Sequence, residues 1–289
     1  MEHTRYGTQE KVIGKQGQQK LSKAHLCIIG LGALGSIVAE LAARSGIGMM
    51  TLVDYDIVKE ENLHRQLYAE ADIGSPKVYA AKKHMLAINK KIQVFPYIQS
   101  IERDTVQSLI AKSRTALGKK IDLFIDCTDN LYTKNLISAY ALSTNIPLIM
   151  GTAAGQSGYV FGITRELGGM DAVFTRTSER TQDTLRQDDC ARLGVINTTT
   201  SVVGSLQWHY ALRYITQKII DPRILHYHDA LVQELGRKKK VQSKPLLLEH
   251  ETIPAKNEKE KHSKEESYRD ECPINSATTN INIRKKPID

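Results

Sequence analysis

The sequence has no long hydrophobic run and few cysteines. No apolar segment of the 289-residue chain approaches the roughly 20 residues of a membrane-spanning helix, so we expect no membrane anchor. The polar residues Met1 to Arg5 lack the apolar core of a secretory signal. Four scattered cysteines, none in a Cys-x-x-Cys pair, argue against a disulfide scaffold and a complete zinc ribbon. We therefore expect a cytoplasmic protein, with Cys27 and Cys127 buried and inert in apolar runs.

Aromatic residues are also few, at 6% of the chain, and none interleaves with the basic cluster Arg237–Lys240. The formal net charge is +8, but half of this excess lies between Arg237 and Asp289, where 13 Lys/Arg accompany 9 Asp/Glu. Single-stranded nucleic acid is usually bound on basic grooves with aromatic stacking platforms, and this segment has no such pattern. A solvated tail therefore explains the charge better than a nucleic-acid surface.

Strand-like and helix-like segments alternate along the chain. Apolar, β-branched runs predict strands over His25–Ile29, Met50–Val53, Ile92–Tyr97, Ile121–Ile125 and Leu148–Met150. The intervening stretches predict helices over Ser36–Ser45, Lys77–Ile88, Thr105–Ser113 and Tyr132–Ser143. This alternation predicts a doubly wound, mostly parallel, Rossmann-like α/β sheet.

The pattern changes after Gly151, which predicts a mixed C-terminal extension. Ser157–Thr164 is predicted as an extra strand, Thr175–Asp189 as a polar loop and Val202–Ile215 as a helix that packs back on the sheet. Beyond Glu249 large apolar residues almost disappear, so this segment cannot bury enough surface to offset its ordering entropy. We expect one folded domain over residues 1–248 and a flexible polar tail over 249–289.

A glycine-rich turn follows the first predicted strand. Gly30, Gly32 and Gly35 form a G-x-G-x-x-G between a strand and a helix, where free N–H groups and the helix dipole favour an anion. Asp54 ends the next strand, where a ribose hydroxyl is read in dinucleotide sites. Taken alone, the turn fits NAD-dependent dehydrogenases and nucleotide-binding adenylyltransferases equally well, and a ligand-free packing turn also stays open.

Four further motifs separate these alternatives. They are Val53-Asp-Tyr-Asp56, Glu61-Asn-Leu-His-Arg-Gln66, Asp72-Ile-Gly-Ser-Pro-Lys77 and Ile125-Asp-Cys-Thr-Asp-Asn130. In this order and at these spacings the sequence resembles the MoeB/ThiF/HesA family, the bacterial relatives of ubiquitin-activating enzymes, over about Arg5 to Leu248. The resemblance implies an adenylyltransferase that uses ATP and Mg²⁺. A plain dehydrogenase does not call for these motifs.

The resemblance also implies roles for individual residues. Its site residues, besides the three glycines, would be Asp54 on the ribose, Asn62, Arg65 and Gln66 on the phosphates, Lys77 on the triphosphate and Asp129 on Mg²⁺. Adenylation requires neutralisation of phosphate charge and a hard oxygen ligand for the metal, which Arg, Lys and Asp supply. Each residue alone has an ordinary reading: Arg65 and Lys77 as surface charges, and Asp129 as a helix-cap residue.

Two segments resemble the acceptor side of the family's cleft. Gly151–Gln156 corresponds to the region that receives the partner's C-terminal tail. Cys190, with Arg186 and Arg192 nearby, resembles the cysteine that some members use for sulfur or thioester chemistry. A catalytic, covalent role for Cys190 and a spectator thiol both stay open.

The chain departs from the family pattern at two places. Thr8 stands where members commonly carry an arginine that reaches the partner subunit's ATP, so this job is absent or passes to Arg5 or Lys11. The paired zinc ligands are missing, and Cys272 is only half of such a pair. One cysteine cannot hold a tetrahedral structural zinc, so no zinc is predicted.

The resemblance implies a homodimer that converts ATP and a C-terminal carboxylate into acyl-AMP and pyrophosphate. The carboxylate would belong to a small ubiquitin-like, β-grasp sulfur carrier, to a ribosomal peptide, or to a tRNA-linked substrate as in the family's dehydratase branch. Two rival interpretations remain: a non-catalytic scaffold subunit that binds a ubiquitin-like partner, and an NAD-dependent oxidoreductase.

Overall fold

The computed structural model describes residues 5–103, 105, 119–174, 193–228 and 231–235. Cys190, Cys272, the predicted loop Thr175–Asp189 and the tail 249–289 lie outside these residues, as does nearly all of the predicted helix Thr105–Ser113. The predictions for these segments, and the division at residue 248, therefore stay predictions. Among the described helices, none combines the length and the hydropathy that crossing a membrane requires.

An eight-stranded sheet runs through the described part of the chain, with the strand order β3-β2-β1-β4-β5-β6-β7-β8. The strands are β1 His25–Ile29, β2 Met49–Asp54, β3 Gln93–Ile98, β4 Leu123–Asp126, β5 Leu148–Ala154, β6 Ser157–Ile163, β7 Ile224–His228 and β8 Leu231–Leu235. Strands β1 to β5 pair in parallel, and β6 to β8 continue the sheet antiparallel. This confirms the doubly wound α/β class and the mixed C-terminal extension.

Helices connect and cover the strands. They are α1 Gly7–Lys23, α2 Ala33–Ser45, α3 Lys77–Ile88, α4 Leu131–Thr144, the short α5 Met170–Phe174 and α6 Asn197–Gln217. Two single 3₁₀ turns, Glu60–Asn62 and Glu70–Asp72, lie in the crossover between β2 and α3. The axis of α1 breaks at Gly14, whose φ is +72°.

The structure contains elements that the sequence pattern did not predict. Helix α1 buries only Gly17, Gln18 and Leu21, so it lacks the apolar stripe by which amphipathic helices are recognised. Strand β7 has the sequence Ile-Leu-His-Tyr-His, and its two histidines interrupt the apolar pattern by which a strand is predicted. Helix α6 begins five residues before the predicted Val202 because its first turn is polar.

Alternate side chains of the strands feed two hydrophobic layers. One layer packs Leu26 and Ile28 of β1 against α2, α3 and α6. The other packs Cys27 and Ile29 against α4 and α5. All five residues of β1 are buried, as expected for the central strand of a parallel sheet covered on both faces. Both Cys27 and Cys127 are free, buried thiols, as predicted.

The strand order reverses between β1 and β4, which are neighbours although β2 and β3 separate them in the chain. Crossovers therefore leave β1 and β4 toward opposite sides and open a crevice at their carboxyl ends. Ligands of open α/β sheets bind in such a crevice. The topology thus places the glycine-rich turn after β1 directly beside the Thr128–Asn130 segment after β4.

This juxtaposition requires glycine at two positions. Gly30 has a φ of +85°, and a Cβ there would lie 2.8 Å from the carbonyl oxygen of Cys127. At Gly35, in the first turn of α2, a Cβ would lie 1.9 Å from the carbonyl oxygen of Gly30. Both contacts are with backbone atoms, which a side-chain rotation cannot relieve. The turn can therefore close only without these two side chains.

Gly35→Ala is expected to lower the free energy of unfolding by about 1–3 kcal/mol or more, because it overpacks a rigid backbone contact. Gly32→Ala is the matched control. Its Cβ would meet only the Gln66 side-chain nitrogen, at 3.8 Å, and the φ of Gly32 is −73°. Urea unfolding of both variants measures the difference. Equal losses in the two variants would contradict this account of the turn.

Candidate active site

A cleft of about 610 Å³ lies at the carboxyl ends of β1, β2 and β4. This volume is in the range of roughly 300–1,000 Å³ that small-molecule sites occupy. The cleft lining includes eight of the residues predicted from the sequence: Gly30, Gly32, Asp54, Asn62, Arg65, Gln66, Lys77 and Asp129. Gly35 is not part of the lining, because it packs behind the turn on Gly30.

The carboxylate of Asp54 is fixed at the end of β2. Its two oxygens accept hydrogen bonds from the backbone N–H groups of Leu31, at 2.6 Å, and Asp56, at 2.8 Å. The hydroxyl of Tyr68 donates to the carbonyl oxygen of Leu31, at 2.8 Å, and holds the same turn from the other side. Asp54 thus presents a constrained acceptor beside the glycine turn, in the position from which a ribose hydroxyl is bound in related sheets.

Two buried amides reach the cleft from the crossover between β2 and α3. The side-chain oxygen of Asn62 accepts a hydrogen bond from the N–H of Lys59, at 3.2 Å, which closes the first 3₁₀ turn. Gln66 is only 5% exposed, and its Oε1 atom has no hydrogen-bond partner among the residues that the structure describes. A buried, unpaired acceptor carries a desolvation cost. At the edge of a cleft it is suited to accept a hydrogen bond from a ligand.

The two predicted cations differ in environment. Lys77 is buried, and its Nζ atom lies 2.7 Å from Oδ2 of Asp56. Burial raises the pKa of the Asp56 carboxyl, but the hydrogen bond and charge of Lys77 outweigh it, so the net pKa lies below its usual range. Arg65 is half-buried, and its Nη1 donates to the carbonyl oxygen of Glu61 at 2.8 Å. One cation is therefore paired with a carboxylate within the site, while the other is bonded to a backbone carbonyl at its edge.

Asp129 is an exposed carboxylate in the turn after β4. Burial raises the pKa of Tyr55 at the cleft, and the charges of Asp56, Asp129 and Asp54 raise it further. These three carboxylates therefore lie close to the same tyrosine. Within the described ranges, no three His, Cys, Asp or Glu side chains are arranged to hold a metal ion by themselves. Mg²⁺ usually binds through one or two carboxylates, water and substrate phosphates, and Asp129 fits that mode.

Sequence reasoning missed part of the lining. The cleft also includes Thr128, Gln99, Ser100, Ile101, Gly194, Val195 and Thr200. Thr128 was detectable, since it lies inside the Asp-Cys-Thr-Asp-Asn run. The others follow from the fold: Gln99 to Ile101 come directly after β3, and Gly194, Val195 and Thr200 lie just before or at the start of α6. Thr152 and Ala153, from the predicted acceptor segment Gly151–Gln156, also line the cleft.

Other predicted residues lie elsewhere or outside the described chain. Thr8 is exposed on α1, and Arg5 donates from Nη1 to the carbonyl oxygen of Ile88 at 3.0 Å. Neither residue is part of the lining of this protomer's cleft. Cys127 does line the cleft, but burial raises the pKa of its thiol far above the usual range. Cys190 falls outside the described residues, so its position stays open.

Comparison with known proteins agrees with this geometry. Residues 6–246 match the model of the ThiF family. The chain is 33% identical over 202 residues to the molybdopterin-synthase adenylyltransferase of Salmonella typhimurium, covering 69% of this chain and 76% of that protein. It is 30% identical over 207 residues to the sulfur carrier protein ThiS adenylyltransferase of Escherichia coli, covering 71% and 77%.

Solved structures show the same fold. The crystal structure of Escherichia coli MccB with ATP superposes with a TM-score of 0.64 at 19% identity, covering 81% of this chain and 72% of that one. MccB with the peptide derivative MccA-N7isoASN gives a TM-score of 0.67 at 20% identity, covering 81% and 73%. By the extent of the family match and the identity to these relatives, the chain belongs to the ThiF family.

Proposed function

We propose that this chain is an adenylyltransferase that uses Mg-ATP to activate the C-terminal carboxylate of a small ubiquitin-like sulfur carrier, or of a peptide, as an acyl-adenylate. Relatives at 30–33% identity are named molybdopterin-synthase and ThiS adenylyltransferases. The observation that carries the proposal is one cleft in which Asp54, Arg65, Gln66, Lys77 and Asp129 converge on the glycine-rich turn.

The chemistry makes specific demands on these side chains. A carboxylate oxygen of the acceptor forms a bond to the α-phosphorus of ATP. The bond between that phosphorus and the oxygen that bridges it to the β-phosphorus breaks. Pyrophosphate leaves with that electron pair. Negative charge gathers on the phosphates, so catalysis depends on positioned cations and donors. Lys77 is suited to this task if its ammonium group exchanges Asp56 for a phosphate, and Arg65 if its guanidinium exchanges the Glu61 carbonyl oxygen for a phosphate.

The remaining residues would bind and orient the nucleotide. Asp54 would accept from the ribose, Asn62 and Gln66 would contact the phosphate region, and the N–H groups of the glycine turn would face a phosphate. Mg²⁺, held by Asp129 together with phosphate oxygens, would neutralise charge on the triphosphate. These assignments come from the resemblance to the family, and the position of each side chain in the cleft and its donor chemistry support them.

The acceptor side of the cleft is formed by the end of β5 and the start of α6. Thr152 and Ala153 line it, and the N–H of Gly155 donates to the carbonyl oxygen of Gly194 at 2.7 Å. The C-terminal tail of the acceptor would lie against this wall, and a carrier protein would dock outside the cleft. A later sulfur or thioester step at Cys190, assembly as a homodimer and a cytoplasmic location belong to the same proposal.

Lys77→Ala and Asp129→Ala are each expected to reduce ATP–pyrophosphate exchange by about 10²-fold or more, the loss seen when one preorganised electrostatic contact is removed. Exchange is measured with Mg²⁺ and a purified ubiquitin-like sulfur carrier. Lys90→Ala, at an exposed lysine outside the cleft lining, should leave exchange unchanged. Wild-type exchange in either cleft variant would contradict the site assignment. No exchange by the wild-type protein with carriers or peptides would contradict the function.

Gln66→Leu is expected to separate stability from binding. It removes a buried acceptor that has no partner, so the free energy of unfolding should stay within about 1 kcal/mol of wild type or rise. ATP affinity should nevertheless fall about tenfold, measured by calorimetry. Gln207→Leu is the matched control. Its equally buried amide donates to the carbonyl oxygen of Asp126 at 2.9 Å, so its loss should destabilise the fold. Unchanged ATP affinity in Gln66→Leu would refute the role of Gln66.

A further inference from the structure

A buried ion pair lies beneath the cleft and is not part of its lining. Nζ of Lys134, on α4, is 3.2 Å from Oδ2 of Asp126, at the end of β4. The side chains are 7% and 0% exposed, respectively. Burying two charges is costly unless both are fully hydrogen-bonded. A buried pair does not serve as a solvated surface charge, so its presence requires another explanation. The reaction steps above do not use it.

Both partners make further hydrogen bonds, which satisfy more of their donor and acceptor atoms. The other oxygen of Asp126, Oδ1, accepts from the N–H of Thr128 at 2.8 Å and from its hydroxyl at 2.7 Å. Lys134 also donates to the carbonyl oxygen of Gly151, on β5, at 2.8 Å. The backbone oxygen of Asp126 accepts from Gln207 of α6. The pair thus joins the turn after β4 to β5 and to α6.

Glycine is again what permits this arrangement. A Cβ on Gly151 would lie 2.2–2.6 Å from the amide group of Gln207, so a side chain there would displace the amide. Thr128 is in turn adjacent to the glycine-rich turn, because a Cβ on Gly30 would lie 3.0 Å from the backbone nitrogen of Thr128. Two walls of the cleft are therefore bonded to the ion pair, the Thr128–Asp129 turn and β5, and the glycine-rich turn lies against the first of them.

We propose that the Asp126–Lys134 pair positions the Thr128–Asp129 turn against β5, and so sets the separation between the carboxylate that receives Mg²⁺ and the wall that receives the acceptor. This inference rests on the proposed function. Neither residue touches a reacting atom, so both are positioning residues. A misplacement of about 1 Å at such a site can cost about 10²-fold in rate.

A purely structural ion pair makes a different prediction. Its removal would lower the free energy of unfolding, but the protein that remains folded would bind metal and nucleotide normally. A positioning role instead predicts that the folded variant loses order at Thr128 and Asp129 and loses the gain in nucleotide affinity that the metal provides. The two cases are distinguished by measurements on folded protein, well below the unfolding temperature.

The test uses Lys134→Met and Lys134→Arg in the full chain. In Lys134→Met, hydrogen–deuterium exchange of the peptide that contains Thr128 and Asp129 should become about tenfold faster or more, since the acceptor of the Thr128 N–H is no longer fixed. The gain in affinity for a non-hydrolysable ATP analogue on adding Mn²⁺, compared with EDTA, should shrink by about 10- to 100-fold. Affinity in EDTA should change by less than about threefold. Lys134→Arg should restore most of the metal-dependent gain.

Asp221→Asn provides the matched control. Asp221 is also a buried carboxylate, paired with Arg213 at 3.0 Å and Arg223 at 2.6 Å, and it lies between α6 and β7, outside the cleft lining. Its variant should lose stability and keep the metal-dependent gain. If Lys134→Met does not fold, Thr128→Val decides, because it removes only the hydroxyl bond to Asp126. Thr128→Val should make hydrogen–deuterium exchange of the Thr128–Asp129 peptide faster and the metal-dependent gain in affinity smaller, as in Lys134→Met.

Two results would overturn the proposal. One is a wild-type rate of hydrogen–deuterium exchange with a wild-type metal-dependent gain in affinity in Lys134→Met or Thr128→Val. The other is an equal loss of the metal-dependent gain in Asp221→Asn. Failure of the proposed function is recognised separately. In that case the wild-type protein itself shows no metal-dependent nucleotide binding and no pyrophosphate exchange, whatever the variants do.

Discussion

The close approach of the glycine-rich turn to the backbone of Cys127 and Thr128 is the constraint on which the site depends. It exists because β1 and β4 are neighbours in parallel register while their crossovers leave in opposite directions. It persists because Gly30 and Gly35 present no side chains to the facing backbone. A nucleotide bound on the turn, as we propose, would thereby be within reach of Asp129 and of the end of β5.

Each buried lysine in and below the cleft is compensated by a carboxylate within the protein. Lys77 is buried but compensated by Asp56, and the half-buried Arg65 donates to the carbonyl oxygen of Glu61. Beneath them, Asp126 and Lys134 are compensated by each other and by neutral groups. A buried cation with no counter-ion would be costly. In the proposed function, exchange of the Asp56 carboxylate for a phosphate would let the ligand bind without a large change in the solvation of Lys77.

The sequence predicted the parts of the fold that depend on local pattern. The spans of β1 and α3 agree residue for residue with the structure, because β1 is a continuous apolar run and α3 follows a proline. Helix α1 and strands β7 and β8 were missed, since α1 buries few apolar residues and the two strands are defined by their pairing with β6 and with each other. The glycine-rich turn and the four further motifs together located eight cleft residues.

Other parts of the site depend on contacts that are distant in sequence. The role of Gly151 becomes visible only when Gln207, 56 residues later, is seen to occupy the space of its absent side chain. The link from Lys134 to Asp126 spans one turn and a helix, and a lysine on a helix is most often a solvated surface charge. Local pattern thus identifies ligand-facing groups better than the groups that position them.

The central claim is that this cleft joins AMP to a C-terminal carboxylate. The most direct measurement is intact-mass spectrometry of a purified ubiquitin-like sulfur carrier after incubation with the enzyme, Mg-ATP and pyrophosphatase, beside the same carrier with an amidated C-terminus. The account predicts a carrier that gains the mass of one AMP, with no gain in the amidated form. AMP addition to the amidated carrier, or release of ADP without any adduct, would contradict it.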